Sequence, residues 1–173
     1  MTVSLERLKV FVVDDNHHMI NIIKAILRGF GVKDILDAIN PLEALNIVRT
    51  TKFDLIITDF AMEPIDGCEL TKTIRAEEGA PNRLTPIIML SAYAERSKVE
   101  IARDAGITEF CAKPVTATEL YRKIAAAANS PRPFVRTNMY SGPDRRRRKN
   151  SPHEGPERRE APLEFGDTGA PGA

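Results

Sequence analysis

Apolar residues in the first 129 positions alternate between short continuous runs and longer stretches at helical spacing. Residues 8–13 read LKVFVV, a β-branched run that stops abruptly at Asp14-Asp15. Met19, Ile20, Ile22, Ile23, Ile26, Leu27 and Phe30 then form a broad helical face, closed by Gly31. Residues 32–36 read as a weaker strand. Pro41 opens a second helix at a first-turn position, with Ala44, Leu45 and Val48 on its buried face. FDLIITD, residues 53–59, is an apolar run ending in a carboxylate, and a helix is predicted over 68–78 after Gly67. Residues 86–91, PIIMLS, form another apolar strand, ending in a hydroxyl. Residues 95–105 read as a helix stopped by Gly106. Residues 108–112 make a short strand running into Lys113-Pro114, and 116–128 is an Ala-rich helix.

Strand and helix therefore alternate five times. The first, third and fourth strands are apolar without alternation, as expected when helices cover both sheet faces. Right-handed crossovers then give an α/β fold, a doubly wound five-stranded parallel sheet. In such sheets ligands bind beyond the carboxyl ends of the strands.

Four strand ends carry polar groups: Asp14 and Asp15, then Asp59, Ser91 and Lys113. Crowded carboxylates repel unless a cation compensates, and oxygen ligands with open water positions suit Mg²⁺. Lys113 offers a compact positive charge that can reach a phosphoryl oxygen, and Ser91 offers a hydroxyl. A carboxylate in this setting can act as a nucleophile toward phosphorus, with metal and lysine stabilising the transferred charge. Singly, each group reads as a solvated strand end, and Asp14-Asp15 as a cap for a helix starting near Asn16. Their occurrence together, in order, favours the site.

Residues 5–129 resemble the CheY-like receiver domains of two-component response regulators. The resemblance rests on VVDD (12–15), IITDFAMEPIDG (56–67), IIMLSA (87–92), AGITEF (105–110) and AKP (112–114). It implies the flavodoxin-like strand order 2-1-3-4-5 and Asp59 as phosphoacceptor. It also implies Mg²⁺ on Asp15, Asp59 and the Ala61 carbonyl, with Asp14 holding a metal-bound water. Ser91 is then the switch hydroxyl, Lys113 the salt-bridge partner of the phosphoryl group, and Lys113-Pro114 a cis bond. A histidine kinase becomes the expected phosphoryl donor, and the protein a phosphoacceptor rather than a dedicated enzyme. Phe110 stands where many relatives have Tyr, so rotamer switching persists without a phenolic hydrogen bond. Glu63-Pro64 replaces the commoner Pro-X order without changing the loop length.

Composition divides the chain of 173 residues in two. Residues 1–129 hold 16 Lys/Arg and 18 Asp/Glu, whereas residues 130–173 hold 9 and 6, including five consecutive basic residues from 145 to 149. The second part also has 7 of the 12 prolines and 5 of the 10 glycines. It is predicted to be a disordered Arg/Pro/Gly-rich tail following a receiver domain at 1–129. The apolar Pro133-Phe134-Val135 stretch is suited to dock that tail back on the domain. No three-helix core for DNA binding follows, and no apolar run approaches the roughly 18 residues of a membrane span. The N-terminus lacks the pattern of a signal peptide, and Cys68 and Cys111 are isolated, which fits a reducing cytoplasm.

The tail holds an imperfect repeat. Tyr140-Ser141-Gly142-Pro143-Asp144-Arg145-Arg146 and His153-Glu154-Gly155-Pro156-Glu157-Arg158-Arg159 share aromatic-X-Gly-Pro-acid-Arg-Arg, 13 residues apart. A plain phosphate-binding patch has no use for the acids, so the pattern suits a ligand with donors as well as anionic oxygens. Guanine meets that requirement: arginine binds its Hoogsteen edge, carboxylates accept from its N1–H and N2–H₂, and its face stacks on guanidinium or aromatic rings. Two copies suit a ligand with two guanines and two phosphates, cyclic di-GMP. Gly-Pro in each copy is expected to set a local bend that restricts the unbound chain.

GPDRRRR (142–148) and GPERR (155–159) also resemble the arginine-rich extension of the Cle-type cyclic di-GMP effectors of the alphaproteobacterial flagellar motor. That resemblance puts base and phosphate contacts on Arg145, Arg146, Arg147, Arg148, Arg158 and Arg159, with Asp144 and Glu157 on guanine edges and Tyr140 stacking. The resulting expectation is a stand-alone cytoplasmic receiver in which cyclic di-GMP orders the tail against the face around the fourth helix, fifth strand and fifth helix. So ordered, it engages the flagellar motor switch protein at the cell pole. The alternatives are a phosphotransfer intermediate with a passive basic tail, and a nucleic-acid-binding module with salt-steep affinity.

Overall fold

The computed structural model describes residues 4–129 and 132–145. A single 3₁₀ turn at Leu5–Arg7 leads into β1 (Lys9–Val13), α1 (His17–Gly29), β2 (Asp34–Ala38), α2 (Pro41–Thr50) and β3 (Leu55–Asp59). These are followed by α3 (Gly67–Ala76), β4 (Ile87–Ser91), α4 (Arg96–Ala105), β5 (Glu109–Ala112) and α5 (Ala117–Asn129). The five strands form one parallel sheet, as the alternating pattern predicts, in the order β2-β1-β3-β4-β5 that the family resemblance implies.

One core layer joins Phe11, Val13, Phe53, Ile56, Ile87 and Met89 to the inner faces of α2, α3 and α4. The other joins Val10, Val12, Ile57, Ile88 and Leu90 to α1 and α5. Successive side chains of β1, β3 and β4 thus enter opposite layers, and Phe11 and Phe53 stack with ring centroids 4.7 Å apart. Helix ends follow local chemistry. Asn16 caps α1 by accepting from the His18 and Met19 amides, so capping is not the role of Asp14-Asp15. Gly106 ends α4 at φ +105°, a left-handed conformation that favours glycine. The strand expected at 32–36 lies two residues later. Val32 is drawn into the core beside α1, and pairing with β1 begins only at Lys9 opposite Asp34.

The largest departure lies beyond residue 129. The sequence reading treats 130–173 as one tail, but residues 134–143 form an antiparallel hairpin, β6 (Phe134–Thr137) and β7 (Tyr140–Pro143). A lone two-stranded hairpin is marginal in water, and this one uses the surface of α3 and α4. Phe134 lies beneath the Arg75 and Arg83 guanidinium groups, 5.5 and 5.9 Å from its ring centre, which bears out the docking expected of the 133–135 stretch. Tyr140 is buried, and its hydroxyl donates to the Pro143 carbonyl at 2.7 Å. The approach depends on two facing glycines. A Cβ on Gly106 would meet the Ser141 carbonyl at 2.7 Å, and one on Gly142 would meet Gly106 Cα at 2.7 Å. Gly142 therefore serves a close backbone contact, and Gly142-Pro143 lies within strand β7 rather than setting the expected bend. Composition missed this element because its apolar residues are few; they are covered by the receiver rather than by one another.

Candidate functional site

The register of the parallel sheet brings the strand ends level: Val13 pairs with Thr58, Asp59 with Leu90 and Ser91 with Ala112. Asp14, Asp15, Asp59, Ser91 and Lys113 consequently share one rim, as the sequence predicts. One carboxylate oxygen from each of Asp14, Asp15 and Asp59 lies within 4.8 Å of the others. Asp14 and Asp59 are buried, and Asp15 is exposed. Lys113 Nζ sits 2.7 Å from Asp59 Oδ1 and 3.6 Å from Asp14 Oδ2. The Asn16 amide donates to Asp14 Oδ1 at 2.8 Å, while Oδ2 has no hydrogen-bond partner.

That unpartnered oxygen and the clustered acids fit a hard divalent cation, which needs oxygen ligands and tolerates bound water. Burial pushes both Asp14 and Asp59 above the usual carboxylate range. At Asp14 the Asn16 amide opposes burial and the Asp59 charge adds to it; at Asp59 the Lys113 hydrogen bond and charge oppose it. An acid whose folded pKa is raised binds more protons folded than unfolded, so its ionisation costs stability as pH rises through that window. Asp14→Asn in metal-free buffer is therefore expected to stabilise the protein at pH 7 by about 1 kcal/mol, the scale of one unsatisfied buried polar group. The gain should shrink as pH falls toward the unfolded carboxylate value near 3.8. Thermal melts across pH read it directly, and a destabilised variant at pH 7 would contradict this account.

Ser91 Oγ is engaged within its own loop. It accepts from the Tyr93 amide at 3.0 Å and lies 3.2 Å from the Tyr93 carbonyl as donor. The Lys113 amide donates to the Ser91 carbonyl at 2.8 Å, tying β5 to β4 at the rim. Lys113-Pro114 is cis, as the resemblance implied, and so is Glu63-Pro64. Ala61 is exposed in the loop after β3, and Phe110 is half-buried against the core. Gly67 is a site residue whose purpose escaped the sequence reading. A Cβ there would lie 2.1 Å from the Asp59 carbonyl oxygen, and its amide donates to Phe60 O at 2.9 Å. A glycine opening a helix gives no sequence sign of such contact.

Of the tail residues assigned to a nucleotide, Tyr140, Asp144 and Arg145 are described. Arg145 lays its guanidinium over the Tyr140 ring at 4.1 Å and pairs with Asp104 at 2.7 Å. The Asp144 amide donates to Pro133 O at 2.7 Å, and Arg132 donates to the Asp144 and Thr108 carbonyls. This folded part of the tail rests on α3 and α4. Arg146, Arg147, Arg148, Glu157, Arg158 and Arg159 lie outside the described residues, as does the second repeat copy. Cys68 and Cys111 are buried and free, and burial pushes the Cys68 thiol up to about 11. No helix among the described residues is long and apolar enough to cross a membrane.

The profile of the response regulator receiver domain matches residues 10–125. The chemotaxis protein CheY-3 of Vibrio cholerae is 34% identical over 119 residues, covering 69% of this chain and 90% of its own. CheY of Pseudomonas aeruginosa is 33% identical over 117 residues, covering 68% and 93%. Among solved structures, the receiver domain of the sensor histidine kinase PA1611 from P. aeruginosa, with a magnesium ion in its active-site cleft, aligns with a TM-score of 0.64. Identity there is 29%, over 71% of this chain and 98% of that one. CheY4 of V. cholerae aligns with a TM-score of 0.62 and 27% identity, over 68% and 95%.

Proposed function

The chain belongs to the response regulator receiver family, and from that premise we propose a receiver that accepts a phosphoryl group on Asp59 and binds cyclic di-GMP through its C-terminal arginine motifs. In the phosphoryl step an Asp59 carboxylate oxygen attacks phosphorus and forms a P–O bond. The bond to the donor breaks, and its electron pair leaves with the donor, a phosphohistidine of a kinase or acetyl phosphate. Mg²⁺, which Asp15, Asp59 and the Ala61 carbonyl would hold with Asp14 on a bound water, would neutralise charge on the transferring oxygens. Lys113, 2.7 Å from Asp59, is positioned to pair with the phosphoryl group. The Ser91 hydroxyl would have to exchange its Tyr93 contacts for that group, carrying the β4–α4 loop with it.

The nucleotide reading is carried by the repeated aromatic-X-Gly-Pro-acid-Arg-Arg pattern. Support comes from its first copy, where Arg145 is stacked on Tyr140, a planar cationic platform of the kind on which a guanine stacks. The output is a protein contact, and the chemotaxis proteins among the relatives make the flagellar motor switch the preferred partner. Calorimetric titration of cyclic di-GMP tests the binding. The proteins are the full chain, a truncation after residue 145 that keeps the hairpin, and Arg145, Arg146, Arg158 and Arg159 changed together to Ala. GMP and GTP serve as controls. Selective binding by the full chain alone is expected. Absent or unselective binding would leave a phosphotransfer receiver with a passive basic tail, a reading favoured by the completeness of the rim without any tail residue.

A further inference from the structure

A crevice of about 310 Å³ separates the hairpin from α3, α4 and the loop before β4. Lys72, Arg75, Arg83 and Arg136 line it, and Tyr140 and Ser141 of the first repeat copy close its other side. The acid on its wall, Asp104, is engaged by Arg145 at 2.7 Å and Arg103 at 3.6 Å. Arg136 also pairs with Glu78, but both side chains are exposed, so water and salt screen that pair.

Arg75 is the unusual member. It is 1% exposed. Its Nε donates to the Gly106 carbonyl at 3.0 Å, and its Nη1 donates to the carbonyls of Arg83 and Thr85 at 2.6 and 2.8 Å. Its Nη2 has no partner, and no carboxylate among the described residues forms an ion pair with it. Burial pulls this guanidinium down to about 10, so it stays charged at neutral pH. A buried cation without a counter-ion is costly, and the Phe134 ring 5.5 Å away and the backbone carbonyls offset only part of that. An oxyanion in the crevice would supply the missing charge. Arg75 would act on it through its field in a partly desolvated setting, while Lys72, Arg83 and Arg136 provide direct donors.

We infer that this crevice is a phosphate-binding site and, resting on the cyclic di-GMP reading above, that it takes one phosphate of the ligand whose guanines the tail arginines hold. The folded domain then shares the ligand with the tail, because the first repeat copy forms one wall of the crevice.

The test compares the full chain with a Lys72→Ala/Arg136→Ala double variant, both side chains being exposed and outside the core. Thermal melting checks that the fold is kept. Cyclic di-GMP is titrated calorimetrically at two salt concentrations, and inorganic pyrophosphate is followed by amide shifts at Lys72 and Ser141. The double variant is expected to bind cyclic di-GMP about ten- to a hundredfold more weakly, as loss of charge-assisted hydrogen bonds implies. Its salt dependence should also be shallower. Pyrophosphate should shift both amides in the full chain only. Equal affinity of the two proteins for cyclic di-GMP overturns the crevice site and leaves the tail reading standing. A full chain that ignores cyclic di-GMP overturns that reading instead. Pyrophosphate then decides the crevice alone, and unmoved amides at 72 and 141 would refute it.

Discussion

Asp59→Asn is expected to take up no phosphoryl group from acetyl phosphate and Mg²⁺, under conditions that label the unsubstituted chain. The amide has the shape of the carboxylate and its oxygen can still accept from Lys113, now 2.7 Å away. It lacks the anionic oxygen that attacks phosphorus. Asp15→Asn leaves that nucleophile intact and should reduce labelling through weaker metal binding. Intact-mass spectrometry reads both. Labelling that survives Asp59→Asn would place the acceptor elsewhere. Burial raises the Asp59 pKa against the pull of Lys113, so labelling of the unsubstituted chain should fade as pH falls and the nucleophile is protonated.

Gly67→Ala is expected to destabilise the protein by about 3 kcal/mol, the upper end for overpacking against a rigid neighbour. The added methyl would lie 2.1 Å from the Asp59 carbonyl oxygen and 3.3 Å from Met89 Cε. The methionine can move aside. The carbonyl cannot, because it belongs to a buried central strand whose neighbours are paired on both sides. Relief must therefore come from α3 drawing back, which strains the Gly67–Phe60 hydrogen bond and the loop carrying Ala61. Both stability and phosphorylation should fall, the second more than the metal-free melt alone would account for. Unchanged melting would show that the 60–67 loop yields freely.

The hairpin adds a link to this scheme. It bridges α3 and α4, and α4 follows the loop whose Ser91–Tyr93 contacts the phosphoryl group would disturb. Under the proposed phosphorylation, Arg145 and Tyr140 would then sit on an element that a change at the rim can reach. On the proposed reading, phosphorylation and ligand binding would meet there in one folded unit.

The order of elements, the parallel sheet and the acidic rim were legible in the sequence because each depends on local signals. Unbroken apolar runs mark strands covered on both faces, Pro41 and Gly106 punctuate helices, and chain order with right-handed crossovers places every strand end on one side. What tertiary structure alone decided rests on contacts between distant residues. Asp14 and Asp15 are neighbours of one type, and only the packing buries the first and exposes the second. Arg75 is a charged residue on the same face of α3 as Cys68, Thr71 and Ile74, and the 77–86 loop and the hairpin close over it. Ser141, which donates to its carbonyl, lies 66 residues away. The hairpin docks only because Gly106 and Gly142, legible in sequence only as a helix stop and part of a turn motif, meet backbone to backbone. A local pattern cannot encode which surfaces will meet, since complementarity of that kind exists only once both are folded.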